Sequence, residues 1–423
     1  MEKFGDRLKR AFTGQPWTVV LALMIAPVAL AWSGFVEASM LGAHRFLVRD
    51  FVNYWMGARL FLAHDTAILF TPPLYEQAAQ AAFAHGLPPF VSFSYPPSLL
   101  PLIGWLGLLP CGPALALWTA LGLAALFAAA WPYSRHPLVA VAILSSPAVL
   151  ACIDDGQNGL FTSALIVAAL TRIDRRPALA GALIGLLTVK PHLGLLLPVA
   201  LLAARRWRVI GWAAASALGV FAVSLMLVGP EAWRLYLTKT APYQSVLYQQ
   251  IHRSWVSMTP SPAVATVAAG GSWSLAWIIQ GLASAAAVAL VAGLFAGRAK
   301  RPIGEVDRVA LVGATFLASP YGFNYDMAAL AVLLLIAGRA QPELNGSRAW
   351  RCGSALLWAA PLVMVVVGVC GLVSGHPWPP VGSVMVASGL ALVVLAGRQG
   401  GPASLRAPAG LAPQSASRAA GAR

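Results

Sequence analysis

Long apolar runs alternate with short basic clusters along residues 16–397. A membrane-spanning helix needs about 20 apolar residues, and the run 16–36 has that length. Lys3, Arg7, Lys9 and Arg10 precede it, so the positive-inside rule puts the amino terminus in the cytoplasm and the segment 37–95 on the far side. The next apolar piece, 98–109, ends at Pro110; as a helix it would rise only about 18 Å against a hydrocarbon core of about 30 Å. It is expected to insert without crossing. Further runs at 114–131, 137–152, 160–170, 178–189, 193–203, 209–228, 272–296, 309–319, 327–336, 356–372 and 381–395 bring the expected total to about twelve spans. With that count the clusters Arg135-His136, Arg172 to Arg176, Arg205 to Arg208, Arg298 to Arg301 and Arg339 to Arg351 all fall on the cytoplasmic side.

The same pattern sets the expected organisation. A single transmembrane domain covers 1–397: a first span at 16–36, a first extracytoplasmic loop and partly inserted segment at 37–110, a bundle at 111–340 with an outer loop at 229–271, and a C-terminal helix pair at 341–397. Residues 398–423, rich in Ala, Gly, Pro, Ser and Arg, have too little patterned apolar surface to fold and form an expected disordered cytoplasmic tail.

Within the first outer loop, the stretch from Asp50 to Leu60 has helical periodicity. Asp50, Asn53, Tyr54 and Gly57 share one face, and Phe51, Val52, Trp55 and Met56 the other, which predicts a membrane-surface helix presenting a carboxylate. Several later spans are short or broken, and a backbone interrupted at membrane depth must be buried in protein or line a wet cavity. The breaks coincide with charges: Lys190 and His192 at the tip of a broken hairpin, and Asp326 in the turn Pro320 to Asp326. An ionisable group at such a place costs at least about 2.5 kcal/mol unless paired or solvated. An ion pair tying helices together accounts for any one of them as well as a functional site does.

Composition narrows the class. Of 423 residues, 59% are hydrophobic and 10% charged, which makes this an all-α polytopic membrane protein; continuous apolar runs exclude the alternating strands of an outer-membrane barrel. The net charge of +15 is accounted for by the orienting clusters and needs no nucleic-acid partner. No small-residue cleavage site follows the basic leader, so an uncleaved first helix is expected. Cys111, Cys152, Cys352 and Cys370 have no paired spacing and read as small hydrophobes. A phosphate-binding loop, a dinucleotide fingerprint, a nucleophile elbow and a zinc-helix motif are all missing from the sequence.

The remaining polar positions have competing readings. Asp154-Asp155, before Gly156-Gln157-Asn158-Gly159, fits a cap for the helix starting near Gly159, a sugar or phosphate contact, or, with no His or Cys at ligand spacing, less well a metal site. Tyr75, Tyr95 and the tryptophans read as interfacial anchors. Arg234, Lys239, His252 and Arg253 lie in an outward loop where orientation does not require cations, which suits a lipid phosphate.

In order and spacing, Asp50-Phe51 with Tyr54-Trp55 and Gly57-Ala58-Arg59, Leu74-Tyr75, Phe93-Ser94-Tyr95-Pro96-Pro97, Gly156-Gln157-Asn158, Lys190-Pro191, and Ser319-Pro320-Tyr321 through Tyr325-Asp326 resemble glycosyltransferase family 87. The resemblance covers roughly residues 15–340. It implies a GT-C fold in the bacterial inner membrane with both termini cytoplasmic and the active site extracytoplasmic. It implies a polyprenyl-phosphate donor of mannose or a related hexose, a lipid or glycan acceptor, and a catalytic base in the first outer loop, here Asp50. With that donor, Arg59, Lys190, His192 and Arg253 are the candidate cations for the leaving phosphate, Lys190 first because its position is costly without an anion. Gln157, Asn158, Asn324, Tyr325, Asp326 and Tyr54 are the candidate substrate contacts. No metal ligand set is expected; a divalent ion bridging Asp50 to the phosphate is compatible with these residues but not required by them. The alternative function is a transporter or flippase of a lipid-linked sugar, for which broken helices and midplane ions also argue, although no inverted repeat is visible. A third, a non-catalytic assembly partner, predicts that Asp50 is replaceable.

Overall fold

The computed structural model describes residues 50–83, 91–131, 133–250, 258–374 and 381–399, and among these there is no strand. The expected first span at 16–36 and the tail beyond Gln399 lie outside the described residues. The helices are α1 Phe51–Leu62, α2 Pro72–Ala82, α3 Cys111–Ala129, α4 Pro137–Leu144, α5 Pro147–Asp155, α6 Gly159–Arg172, α7 Pro177–Leu186, α8 Leu197–Ala203, α9 Trp207–Val228, α10 Pro230–Leu235, α11 Ala241–Gln250, α12 Pro262–Ala268, α13 Trp273–Ala296, α14 Glu305–Ala318, α15 Ala328–Ala340, α16 Arg348–Ser374 and α17 Gly382–Gln399.

Five of them, α3, α9, α13, the apolar part of α16 and α17, are long and apolar enough to cross a bilayer, and α4 with α5 would make a sixth as one span bent by 52°. This is a multi-pass membrane protein. The expected count of about twelve relied also on the first span, outside the described residues, and on shorter helices such as α6 and α7. Of those, α6 is largely buried in the bundle, whereas α7 buries only Ala180, Gly181 and Gly185. The clearest case of burial is α15, buried on every side from Ala328 to Gly338, as a helix apolar all round must be. It is packed by α5, α6, α14 and α16. The long helices α9 and α13 instead leave most of their apolar surface outward, where lipid tails solvate it as well as protein would.

Small residues set the closest approaches. A Cβ at Gly181 would stand 2.5 Å from the Val209 carbonyl oxygen, and one at Gly185 would stand 2.5 Å from Ser216 Cβ, so α7 and α9 touch backbone to backbone. Gly353 and Gly389 do the same for α16 and α17: a Cβ on Gly353 would lie 2.8 Å from the Gly389 carbonyl oxygen.

The cationic ends gather. Asp174, in the turn after α6, accepts from Arg206 at 2.7 Å and from the Ile303 amide at 3.0 Å, and lies 3.9 Å from Arg308. Arg206 also donates to the Arg301 carbonyl at 2.7 Å, and Arg298 pairs with Asp307 at 2.5 Å. Three connections distant in sequence are thereby held at one end of the bundle.

At the other end, α1 differs from the surface helix its pattern predicts. Phe51, Val52, Tyr54, Met56, Gly57, Ala58 and Leu60 are all buried, on both expected faces. The reason is the segment Pro97–Leu108, two 3₁₀ turns around one helical turn, which lies on α1. A Cβ on Gly107 would come within 3.0 Å of the backbone at Ala58 and Arg59, and one on Gly57 would collide with the Phe93 ring at 2.6 Å. Apolar chain, rather than headgroups, covers the second face.

Candidate functional site

The polar groups that the sequence scatters over almost 280 residues meet where α1, the α5–α6 junction, the Lys190 turn and the Asn324–Met327 turn converge. Two features of local structure make the α5–α6 junction. Helix α5 ends on Gly156 in the left-handed conformation at φ +61°, and α6 starts three residues later, at Gly159 behind Asn158. Gly156 is forced twice over, because a Cβ there would also stand 2.6 Å from Phe51 Cβ. The turn is held by the Trp118 indole donating to the Gly156 carbonyl at 3.1 Å, and by Cys152 Sγ against the Gln157 carbonyl at 3.3 Å. Asp154 and Asp155 close the last turn of α5, so the expected role as a cap for the next helix is corrected: Asn158 occupies that position, without a side-chain cap bond.

Gln157 therefore points its amide at α1. Its Nε2 donates to Asp50 Oδ2 at 2.6 Å, and its Oε1 accepts from the Tyr54 hydroxyl at 2.6 Å and the Tyr95 hydroxyl at 3.2 Å. The two phenols also hydrogen bond each other, and the Asn158 amide donates to Tyr54 Oη at 3.3 Å. Burial pushes the Tyr54 phenol well above its ordinary range and the Tyr95 phenol up to about 12, so both keep their protons and donate. Asp50 itself is half-buried at the start of α1. One turn along, the buried Tyr75 hydroxyl donates to Asn53 Oδ1 at 3.1 Å. Tyr75 and Tyr95 are thus parts of the packed site and not interfacial anchors. The signal in the sequence was the rigid Tyr95-Pro96-Pro97 run, which fixes the backbone beyond the ring.

Asn158 carries the network onward. Its Oδ1 accepts from Lys190 Nζ at 3.0 Å, and the same ammonium donates to Asp326 Oδ1 at 2.6 Å. The pair is almost completely enclosed, at 5% and 0% side-chain exposure, so each charge depends on the other for its solvation. The Lys190 ammonium also lies 5.2 Å from the centroid of the Tyr325 ring, which stacks on Phe323. Asp326 Oδ2 accepts from the Phe323 amide at 3.3 Å, closing the turn on itself, and lies 4.0 Å from His192 Nε2. Close packing seals the junction: a Cβ on Gly159 would lie 2.5 Å from the Tyr325 carbonyl oxygen.

Of the residues singled out from sequence, Asp50, Tyr54, Gln157, Asn158, Lys190, His192, Asn324, Tyr325 and Asp326 come together here. Arg59 does not join them; it is exposed, its guanidinium 5.0 Å from the Trp55 ring. Arg253 and His252 lie outside the described residues. Arg234 holds Glu231 with two bonds of 2.7 and 2.5 Å, and Lys239 reaches Thr71 Oγ1 at 3.3 Å, so both already have partners. The Lys190 ammonium likewise has Asp326 as counter-ion and Asn158 as a second partner.

Three buried side-chain nitrogens in this cluster have no hydrogen-bond partner: Asn158 Nδ2, Asn324 Nδ2 and His192 Nε2, the last 4.0 Å from Asp326 Oδ2. A buried amide without a partner costs about 1–3 kcal/mol, so these amides call for a partner such as an ordered water or a bound ligand. Among the described residues no three His, Cys, Asp or Glu side chains are grouped as a metal site.

An apolar helical bundle that buries an ion pair and a hydrogen-bonded carboxylate at the broken ends of its short helices is a multi-pass membrane protein with an enclosed polar cluster. The family model described as "Glycosyltransferase family 87" matches residues 93–320, just over half of the chain. The chain belongs to glycosyltransferase family 87 and is a membrane glycosyltransferase. The matched range includes Tyr95, Gln157, Asn158, Lys190 and His192, while Asp50 and the Asn324–Asp326 turn lie outside it. Comparison with curated proteins and with solved structures found no match.

Proposed function

We propose that this protein transfers a hexose, mannose or a close relative, from a polyprenyl-phosphate donor to a lipid or glycan acceptor on the extracytoplasmic face of a bacterial inner membrane. The observation that carries the reading is the half-buried Asp50 carboxylate, held by the Gln157 amide and joined through Gln157-Asn158 to the unpartnered asparagine amides around the Lys190–Asp326 pair.

In the reaction, Asp50 accepts the proton of an acceptor hydroxyl as that oxygen bonds to the anomeric carbon. The bond from the anomeric carbon to the phosphate oxygen breaks, its electron pair leaves with the polyprenyl phosphate, and the configuration inverts. Asp50 then releases its proton to water. The donor ester is already activated, so the protein mainly orients two substrates and stabilises charge on the leaving phosphate. Asn158 and Asn324 donate to sugar hydroxyls, and His192 with the remaining Lys190 N–H faces the phosphate. Arg253 joins them from the outer loop. The catalytic unit is the single domain 1–397, with the termini in the cytoplasm.

The test uses membranes holding the wild-type chain or Asp50→Asn, supplied with radiolabelled polyprenyl-phosphate mannose. Wild type is expected to move label into envelope lipid or glycan, and the folded variant to lose at least about 100-fold in rate, the low end of what a general base contributes. Equal transfer by both would remove Asp50 from the chemistry.

A further inference from the structure

Gln157 makes an unusual use of its amide. Oε1 accepts from the Tyr54 hydroxyl at 2.6 Å, the Tyr95 hydroxyl stands 3.2 Å from Oε1 and hydrogen bonds Tyr54, and Nε2 points the other way at Asp50 Oδ2, 2.6 Å distant. Gln157 is not among the side chains with an unpartnered buried atom, in contrast to its neighbour Asn158. An amide can be turned by 180° with little change in shape, so what decides its orientation is its partners. Here the alternative would set an amide oxygen against a carboxylate and leave both phenols facing an NH₂ group. The carboxylate, which accepts, and the Tyr54 hydroxyl, which donates, together place the donor side of Gln157 on Asp50.

We infer that Gln157 is the positioning residue for Asp50 and not a substrate ligand: the Tyr54–Tyr95 pair locks its amide so that it holds the carboxylate aimed. This rests on the reading of Asp50 as the base. The amide does two things at once. It fixes Oδ2, leaving the direction of proton acceptance set by the start of α1, and it favours the charged form because a donor to a carboxylate stabilises the anion. Tyr95 matters only through this lock, which is how a residue of the Tyr95-Pro96-Pro97 run bears on chemistry at α1.

The experiment has one readout that needs no substrate. Infrared difference titration of the purified protein, with the Asp50→Asn spectrum subtracted, follows protonation of the Asp50 carboxyl in wild type, Gln157→Ala and the isosteric Gln157→Glu. Loss of the amide is expected to move the Asp50 midpoint up by about one pH unit in Gln157→Ala. In Gln157→Glu the two carboxyls share a proton, and the midpoint also rises. In the transfer assay, Gln157→Ala should lose about 10- to 100-fold in kcat with KM within about twofold, and its acidic limb should shift upward with the midpoint. Tyr95→Phe should show a smaller loss of the same kind. An unchanged Asp50 midpoint in both Gln157 variants would overturn the positioning role, and so would a rise in KM with kcat intact, which marks a substrate contact. Transfer by Asp50→Asn at the wild-type rate would instead overturn the base, whatever the Gln157 titrations show. If Gln157→Ala does not fold, Gln157→Glu alone decides, since it keeps the size and the acceptor for the phenols.

Discussion

At the scale of single residues, the site depends most on a position with no side chain. Gly156 ends α5 at φ +61° and lets Phe51 approach to where a Cβ would stand 2.6 Å from another carbon. Gly156→Ala would meet two costs together: the left-handed conformation, about 1–2 kcal/mol for an L-residue, and overpacking, about 1–3 kcal/mol. The expected result is a loss of at least about 2 kcal/mol, read as a fall in melting temperature, and slower transfer because Phe51 is the residue next to Asp50. Gly211 is the control. It lies inside α9 with open space around its Cβ position, so Gly211→Ala should leave transfer unchanged and stabilise the helix by about 0.5–1 kcal/mol. Equal melting temperatures for the two variants would show that the α5–α6 junction yields more easily than its geometry implies.

At the scale of elements, the Lys190–Asp326 pair ties the turn between α7 and α8 to the turn that leads into α15. Lys190→Met would strand Asp326 as a buried anion, and breaking one partner of such a pair costs about 3–5 kcal/mol. The double variant Lys190→Met/Asp326→Leu should recover most of that stability while transfer stays low, because the ammonium that reaches Asn158 is gone. A double variant that transfers at the wild-type rate would reduce the pair to a packing role. Each charge was legible in the sequence as an expensive group at a helix break. Their pairing across 136 positions was not, since nothing local registers one turn against another. The same limit explains α1: its stripe of Asp50, Asn53, Tyr54 and Gly57 was visible, but the cover of its second face by the Pro97–Leu108 segment is a tertiary fact. Tyr95 was missed for a related reason: an aromatic beside a membrane span has an anchoring role by default, and the rigid Tyr95-Pro96-Pro97 run does not by itself say that the hydroxyl reaches Gln157.

At the scale of the whole molecule, helix α6 provides the ruler. It starts at Gly159, beside Asn158 and the site, and ends at Arg172, whose neighbour Asp174 binds Arg206 and the Ile303 amide. Fourteen residues of helix separate these ends by about 21 Å, so the site and the cationic network are held at opposite ends of one rigid rod. The alternation of apolar runs with basic clusters made this polarity readable before any contact was known, even though the short helices α6, α14 and α15 turned out to be bundle core and not lipid-facing spans. If the cationic end is cytoplasmic, as the positive-inside rule requires, the site opens outward. Cysteine labelling tests this, in a chain with Cys111, Cys352 and Cys370 replaced by Ala and with Cys152 kept because it is buried. A cysteine introduced by Glu231→Cys in α10 should react with an impermeant maleimide added outside intact cells, whereas Arg301→Cys should react only after the membrane is opened. The reverse pattern would put Asp50 in the cytoplasm, where a nucleotide-linked donor would replace the lipid-linked one.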